Sequence, residues 1–209
     1  MPHDVPGLIA LFPGGADEYA RVLQVVLANQ TAWTSMLSTF LPNPYCWLGN
    51  EPSMLLPWQH AWAGPAHSWR AAFWPRWHLR TYFAPTVDAI PGNDDYGALS
   101  SWAVWAMLGL YPVAPTGAFA LGSPVFADAV VAAPAAWRRF DGAAGASLHV
   151  VAHNASAARV FVAGARANGV PLAAPLVAWA DLWPAGGGEA LLEFDMADAP
   201  GVWGMGSEV

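Results

Sequence analysis

Three oxygen-bearing side chains follow one another at Asn93-Asp94-Asp95, inside the run Pro91-Gly92-Asn93-Asp94-Asp95-Tyr96-Gly97 that opens onto an apolar stretch from Ser100 to Leu110. The chain has only 15 acidic residues in 209, so two adjacent carboxylates in a glycine-flanked turn need a specific cause. Hydrolytic acid–base catalysis and hard-cation binding both use such groups. The structural alternative is capping, because a carboxylate before the helix that begins near Gly97 satisfies free N–H groups and complements the helix dipole. One aspartate suffices for that. Adjacent side chains leave a turn in different directions, so one can cap or hold a neighbour while the other faces a cleft as a base.

A second cluster is Gly49-Asn50-Glu51-Pro52, at the mouth of another helical segment. Glu51 there is either a capping carboxylate or, with Asn50, a pair that contacts a sugar hydroxyl or a cation. The histidines His3, His60, His67, His78, His149 and His153 show no HExxH or comparable spacing, which gives a zinc site no support. No GxSxG elbow and no phosphate-cradling glycine loop is present, so serine-hydrolase and nucleotide chemistry have none either.

The elements that must position these residues come from an apolar chain, 56% hydrophobic, with ample material for a core. A net charge of -7, with eight arginines and no lysine, removes the positive field that nucleic acid or an anionic membrane would need. Thirteen tryptophans suit either helix packing or carbohydrate stacking, and packing accounts for most of them. Cys46 is the single cysteine, so no internal disulfide forms and packing is its expected role. The N-terminal Met1-Pro2-His3-Asp4 shows no signal-peptide pattern, and the longest apolar run, Trp102 to Ala114, contains Pro112 and is too short to span a bilayer.

The pattern predicts helices first and strands second: a helical part over 1–114 and a small antiparallel β-rich region over 115–209. Asp17 and Glu18 start a helix in which Tyr19, Val22, Leu23, Val26 and Leu27 recur at helical spacing. Pro52 to Ala63 is a short or kinked helix around Pro57, and Pro65 to Phe83 is another helical segment with Pro75 inside it. Ser100 to Leu110 is apolar on nearly every side, which predicts a helix enclosed by others. Val125 to Val131, Leu148 to Ala152, Val160 to Ala165 and Leu191 to Met196 alternate as strands, with turns at Asn168-Gly169 and Gly186-Gly187-Gly188.

Several of these stretches together resemble glycoside hydrolase family 92, the calcium-dependent exo-acting α-mannosidases. His3-Asp4-Val5-Pro6-Gly7-Leu8-Ile9 with Gly14-Gly15 is similar to the family's PHDVxGLIxLxGG tract, and Gly49-Asn50-Glu51-Pro52-Ser53 with Ala63-Gly64 to its GNEPS...YAG segment. Pro91 to Gly97, Ser100-Ser101-Trp102 and Leu108-Gly109-Leu110-Tyr111-Pro112 resemble GNDDxGxMSxW...LGxYP, and Gly122-Ser123-Pro124-Val125-Phe126 resembles GSPxF.

The resemblance implies hydrolysis of terminal α-mannose, of α-1,2 type, with inversion. It implies partial (α/α)6-barrel helices followed by the β region, as the C-terminal part of an enzyme whose β-sandwich domain and general acid lie upstream. By motif position Asp95 is then the general base and Asp94 its orienting neighbour. Asn50, Glu51 and Asn93 belong to the sugar subsite, and Asn50 and Glu51 sit near the calcium. Asn93 departs from the aspartate that many members carry there, and the segment Ala178 to Gly188 is divergent. The partner implied is an α-mannoside glycan, with the upstream part of the enzyme or a second copy as a protein partner. The parent protein is expected to be secreted, periplasmic or in the secretory pathway. The chain alone is expected to be inactive, and the alternative is a non-catalytic mannose-binding or regulatory remnant.

Overall fold

The computed structural model describes residues 3–36, 41–113, 116–132, 147–183 and 188–203. Helix α1 (Val5–Ala10) starts where the Asp4 carboxylate accepts the Gly7 N–H at 2.7 Å. Helix α2 (Gly15–Met36) carries Asp17 and Glu18 in its first turn and buries Tyr19, Leu23, Leu27 and Gln30 along one stripe. Val22 and Val25 face outward. The chain then takes two 3-10 turns, Glu51–Ser53 and Leu56–Trp62, each with a proline in its first turn. This matches the kinked segment expected around Pro57.

Helix α3 (Trp69–Tyr82) continues through Pro75. Pro75 has no N–H, which frees the Ala71 carbonyl, and the backbone of Gly122 lies against that carbonyl. Buried Arg76, one residue on, donates to the carbonyls of Ser123 (3.2 Å) and Pro124 (2.6 Å), tying α3 to the Gly122-Ser123-Pro124 loop. Burial lowers the Arg76 pKa to about 10, so it keeps its charge at neutral pH.

Helix α4 (Ala98–Leu108) ends at Gly109, whose φ of 75° provides the left-handed C-cap. A side chain there would collide with the Pro124 ring. Leu99, Trp102, Ala103, Ala106 and Leu108 are buried, whereas Ser100, Ser101 and Val104 are exposed. The helix is therefore open on one face rather than enclosed: its all-round apolar composition hides which side lacks a neighbour.

Strands begin at Leu110. A three-stranded antiparallel sheet has the order β1 (Leu110–Val113), β2 (Ala118–Leu121), β7 (Leu176–Ala178). A five-stranded sheet has the order β3-β4-β8-β5-β6, from β3 (Asp128–Ala132), β4 (Ser147–His153), β5 (Phe161–Ala167), β6 (Val170–Pro171) and β8 (Glu189–Ala197). A one-turn helix α5 (Trp179–Leu182) follows β7.

The expected antiparallel region is corrected here, because β4 and β8 pair in parallel. Alternating apolar residues mark a strand but not its neighbour, and a parallel pair needs a long crossover, which residues 154–188 supply. The Asn168-Gly169 turn joins β5 to β6 with φ of 50° and 80°, the all-positive pattern of a type I′ hairpin. Gly186 and Gly187 lie outside the described residues, as does the 114–115 boundary.

One apolar cluster joins the end of α4 to both sheets through Leu108, Leu110, Phe119, Leu192 and Phe194. A second packs Trp58, Leu99, Trp102 and Ala106 against Val113 and Ala120. Helices and sheets thus share their cores, and α3, α4, β1 and β2 each contribute to both clusters. Among the described residues no helix is long and apolar enough to cross a membrane.

Candidate active site

The site rests on a contact between two loops that are distant in sequence. A Cβ on Gly49 would overlap the Pro91 carbonyl and lie 2.7 Å from the Trp47 indole, while one on Gly92 would lie 2.9 Å from the Gly49 carbonyl. Only glycine permits the backbones to approach this closely. The approach joins the segment that leads into Asn50 and Glu51 to the one that leads into Asn93, Asp94 and Asp95. A second tie runs underneath: Trp102 Nε1–H donates to the Met54 carbonyl at 2.9 Å. The Trp102 ring stacks on Phe83 at 5.6 Å and meets Trp58 edge-on. Trp58 in turn stacks on Tyr111 at 5.4 Å, so the first strand is locked to the same cluster.

Within the acidic turn the two aspartates have separate work. Asp94 Oδ1 accepts the Ser100 N–H at 2.9 Å and the Ser100 hydroxyl at 2.7 Å. Its backbone carbonyl accepts the Gly97 and Leu99 N–H groups. These bonds favour the charged carboxylate, and the Ser100 hydroxyl, then the Ser100 N–H, hold the Asp94 pKa below the ordinary aspartate value. Gly97 occupies the N-cap position of α4, and Asp94 supplies the carboxylate that satisfies its first turn. The Asp95 carboxylate makes no hydrogen bond among the described residues, while its N–H is held by Asn93 Oδ1 at 3.0 Å.

The turn is strained. Asp95, Tyr96 and Gly97 have φ of 47°, 58° and 96°, three consecutive left-handed residues. Such a backbone costs an L side chain roughly 1–2 kcal/mol. Aspartate tolerates it better than most, but tyrosine does not. Strain of this kind persists where surrounding bonds over-determine it, and here the Asn93 and Asp94 bonds do so.

Asn50 and Glu51 are exposed, and Asn50 makes no side-chain cap to the turn it precedes. Neither side chain has a hydrogen-bond partner among the described residues, so Glu51 does not act by side-chain capping. Their oxygens suit a hard cation. Among the described residues, however, no three His, Cys, Asp or Glu side chains converge well enough to hold a metal ion, so this pair would supply only part of a coordination shell.

Two depressions flank the turn. One, of about 160 Å³, is lined by Thr81, Thr86, Asp88 and Pro91, and a shallower one lies on the open face of α4 along Ser100, Ser101, Val104 and Trp105. Neither is lined by Asp95, which is half-buried.

The histidines are elsewhere. His60 and His78 are fully buried, and burial lowers their pKa values to about 3 and about 4, keeping both neutral. His78 Nδ1 bonds the Trp74 carbonyl at 2.7 Å. His78 Nε2 lies 3.8 Å from Sγ of Cys46, a packed thiol whose pKa burial pushes up to about 12. His67 pairs with Asp17, His149 with Asp128 and Glu189, and His153 with Glu193, all away from the turn. The role of Ser100 as the partner of Asp94 was not legible beforehand; its sequence signal is a hydroxyl in the first turn of the helix behind an acidic pair.

The profile described as the Glycosyl hydrolase family 92 catalytic domain matches residues 1–198, and the chain belongs to that family. A solved structure of a family GH92 alpha-mannosidase from Bacteroides thetaiotaomicron, BT3965, superposes with a TM-score of 0.74 at 25% identity, covering 95% of this chain and 24% of that one. The GH92 inverting mannosidase BT2199 of the same organism shares the fold, with a TM-score of 0.58 at 24% identity, over 73% of this chain and 19% of that one. A protein of Arthroderma benhamiae described as an uncharacterized secreted glycosidase is 32% identical over 127 residues, 60% of this chain and 14% of that protein. The chain thus spans about a quarter or less of the length of these relatives.

Two outcomes test the geometry. Gly49→Ala should destabilise the fold by about 1–3 kcal/mol, the usual cost of overpacking, read as a lower denaturant midpoint; an unchanged midpoint would deny the loop contact. In a carbon-detected NMR titration the Asp94 carboxyl should titrate below the ordinary aspartate value, and Ser100→Ala should raise it. Because the folded pKa is depressed, the stability that Asp94 contributes is present above the unfolded pKa and is lost as pH falls through the folded one.

Proposed function

We propose that this chain contributes the water-activating side of an inverting, calcium-dependent exo-α-mannosidase, of α-1,2 type, that removes terminal mannose from glycans. Asp95 is the general base, Asp94 the group that fixes the turn, and Asn50, Glu51 and Asn93 the sugar contacts. The observation that carries this reading is the division within the turn. Asp94 is committed to Ser100, whereas Asp95 presents an unengaged carboxylate on a loop whose start packs against Gly49, the residue before Asn50 and Glu51. The mannosidase names of the structural relatives support the substrate class.

Inversion needs a carboxylate that takes a proton from water as the water oxygen bonds to the anomeric carbon. A separate acid, about 6.5–9.5 Å away, protonates the departing oxygen on the opposite face. A carboxylate with no competing donors can accept that proton, and one already accepting two bonds is better suited to holding the loop. On this reading the acid comes from another part of the enzyme, and α1 to α4 belong to an (α/α)6 barrel completed by further helices. Asn50 Oδ1 and the Glu51 carboxylate would hold calcium, which when bound fixes mannose hydroxyls; the rest of its about six to eight contacts would come from sugar, water or other groups. A parent enzyme that is secreted, periplasmic or in the secretory pathway is part of this reading, and the description of the fungal relative as secreted supports it. A non-catalytic mannose-binding or regulatory chain is the alternative, and it rests on the same free Asn50 and Glu51 side chains.

Calorimetric titration with methyl α-mannoside, paired with an assay of mannose release from α-1,2-mannobiose, tests both. The chain should bind in the millimolar range only with calcium, lose about tenfold in affinity on Glu51→Gln, and release no mannose. Binding indifferent to calcium and to Glu51→Gln would contradict the ligand assignment. Sustained release abolished by Asp95→Ala would contradict an acid supplied from elsewhere.

A further inference from the structure

We propose that Tyr96 is a sugar-contacting residue, its ring packing on the apolar face of the mannoside that Asp95 serves; this inference rests on the mannoside reading above. Tyr96 is fully exposed, at 113% of its reference area. Among the described residues its ring stacks on no other aromatic group and its hydroxyl has no hydrogen-bond partner. Its φ of 58° also places a bulky side chain on left-handed backbone, which disfavours it relative to glycine.

The turn does not need that side chain. Asn93 Oδ1 holds the Asp95 N–H, and the Asp94 carbonyl and carboxylate hold Gly97, Leu99 and Ser100, so the loop is fixed from both sides of Tyr96 by other groups. The bonds around Asn93 and Asp94 hold the strained backbone in place, but the solvated Tyr96 ring itself gains no internal contact. A ligand would supply the contact. Sugars present C–H faces that pack on aromatic rings and hydroxyls that can bond a phenol, which is the pairing of surfaces tyrosine offers.

Position supports the same ligand. Consecutive Cα atoms are about 3.8 Å apart, less than the width of a pyranose ring, so a ligand wide enough to span the turn can meet both Asp95 and the ring that Tyr96 presents to solvent. Tyr96 lies between the acidic pair and Gly97, where its ring would grip the mannoside and leave the proton chemistry to Asp95.

The test compares Tyr96→Gly, Tyr96→Phe and the unsubstituted chain by thermal melting, size-exclusion chromatography and titration with methyl α-mannoside in calcium. Tyr96→Gly should melt higher, because strain is relieved, yet bind about tenfold more weakly, the scale of one aromatic contact. Tyr96→Phe should bind within about twofold of the unsubstituted chain, because the ring is kept. Equal affinity of Tyr96→Gly and the unsubstituted chain would overturn the inference and leave the mannoside reading in place. A lower melting temperature, or a change in oligomeric state, would assign the ring to folding or to contact between copies and would also overturn it. An unsubstituted chain that does not bind removes the mannoside reading and this inference with it.

Discussion

The close approach of Gly49 to Pro91 and Gly92 is the constraint on which the rest of the site depends. It brings together two polar loops from different parts of the helical half, without a side chain between them. Backbone contact of this kind is unforgiving, since the smallest side chain at Gly49 would occupy the space of the Pro91 carbonyl. It also needs support from below, and the Trp102 indole provides it by bonding the Met54 carbonyl while its ring is held among Phe83, Trp58 and His78. Helix α4 therefore does two things. Its N-terminus is capped by Asp94, and its buried face fixes the position of the opposite loop.

From that frame follows the asymmetry of the two aspartates. The first is consumed by the helix, with both its carbonyl and its carboxylate accepting N–H or O–H groups. The second is lifted onto left-handed backbone and leaves its carboxylate unengaged. A capping role and a reactive role, which compete when a turn has one acid, are separated here by one residue. The cost is local strain at Asp95 and Tyr96, and the bonds around Asn93 and Asp94 offset it.

Much of this was legible in the sequence, and the reasons for success and failure differ by element. The stripe of α2 and the alternation of β8 are local periodicities with one buried face, so Tyr19, Leu23 and Leu27, or Ala190, Leu192, Phe194 and Met196, declare themselves. The Asn168-Gly169 hairpin likewise follows from residue chemistry alone. Short strands such as Leu110–Val113 and Ala118–Leu121 were missed because they continue apolar or Ala-rich runs with no alternation. Sheet order, including the parallel pairing of β4 and β8, is a property of distant segments. The same limit applied to the site: the acidic turn and the Gly49-Asn50-Glu51 cluster were each visible, but their contact was not. That one aspartate would cap was foreseeable, but the identity of its partner, Ser100, was not.

The central claim, that two loops form one mannoside site around Asp95, is tested most directly by amide shift mapping of the isotopically labelled chain titrated with methyl α-mannoside in calcium. The account predicts saturable shifts on both Gly49–Ser53 and Gly92–Gly97, moving together with a single affinity. Shifts confined to one loop, or to neither, would contradict it.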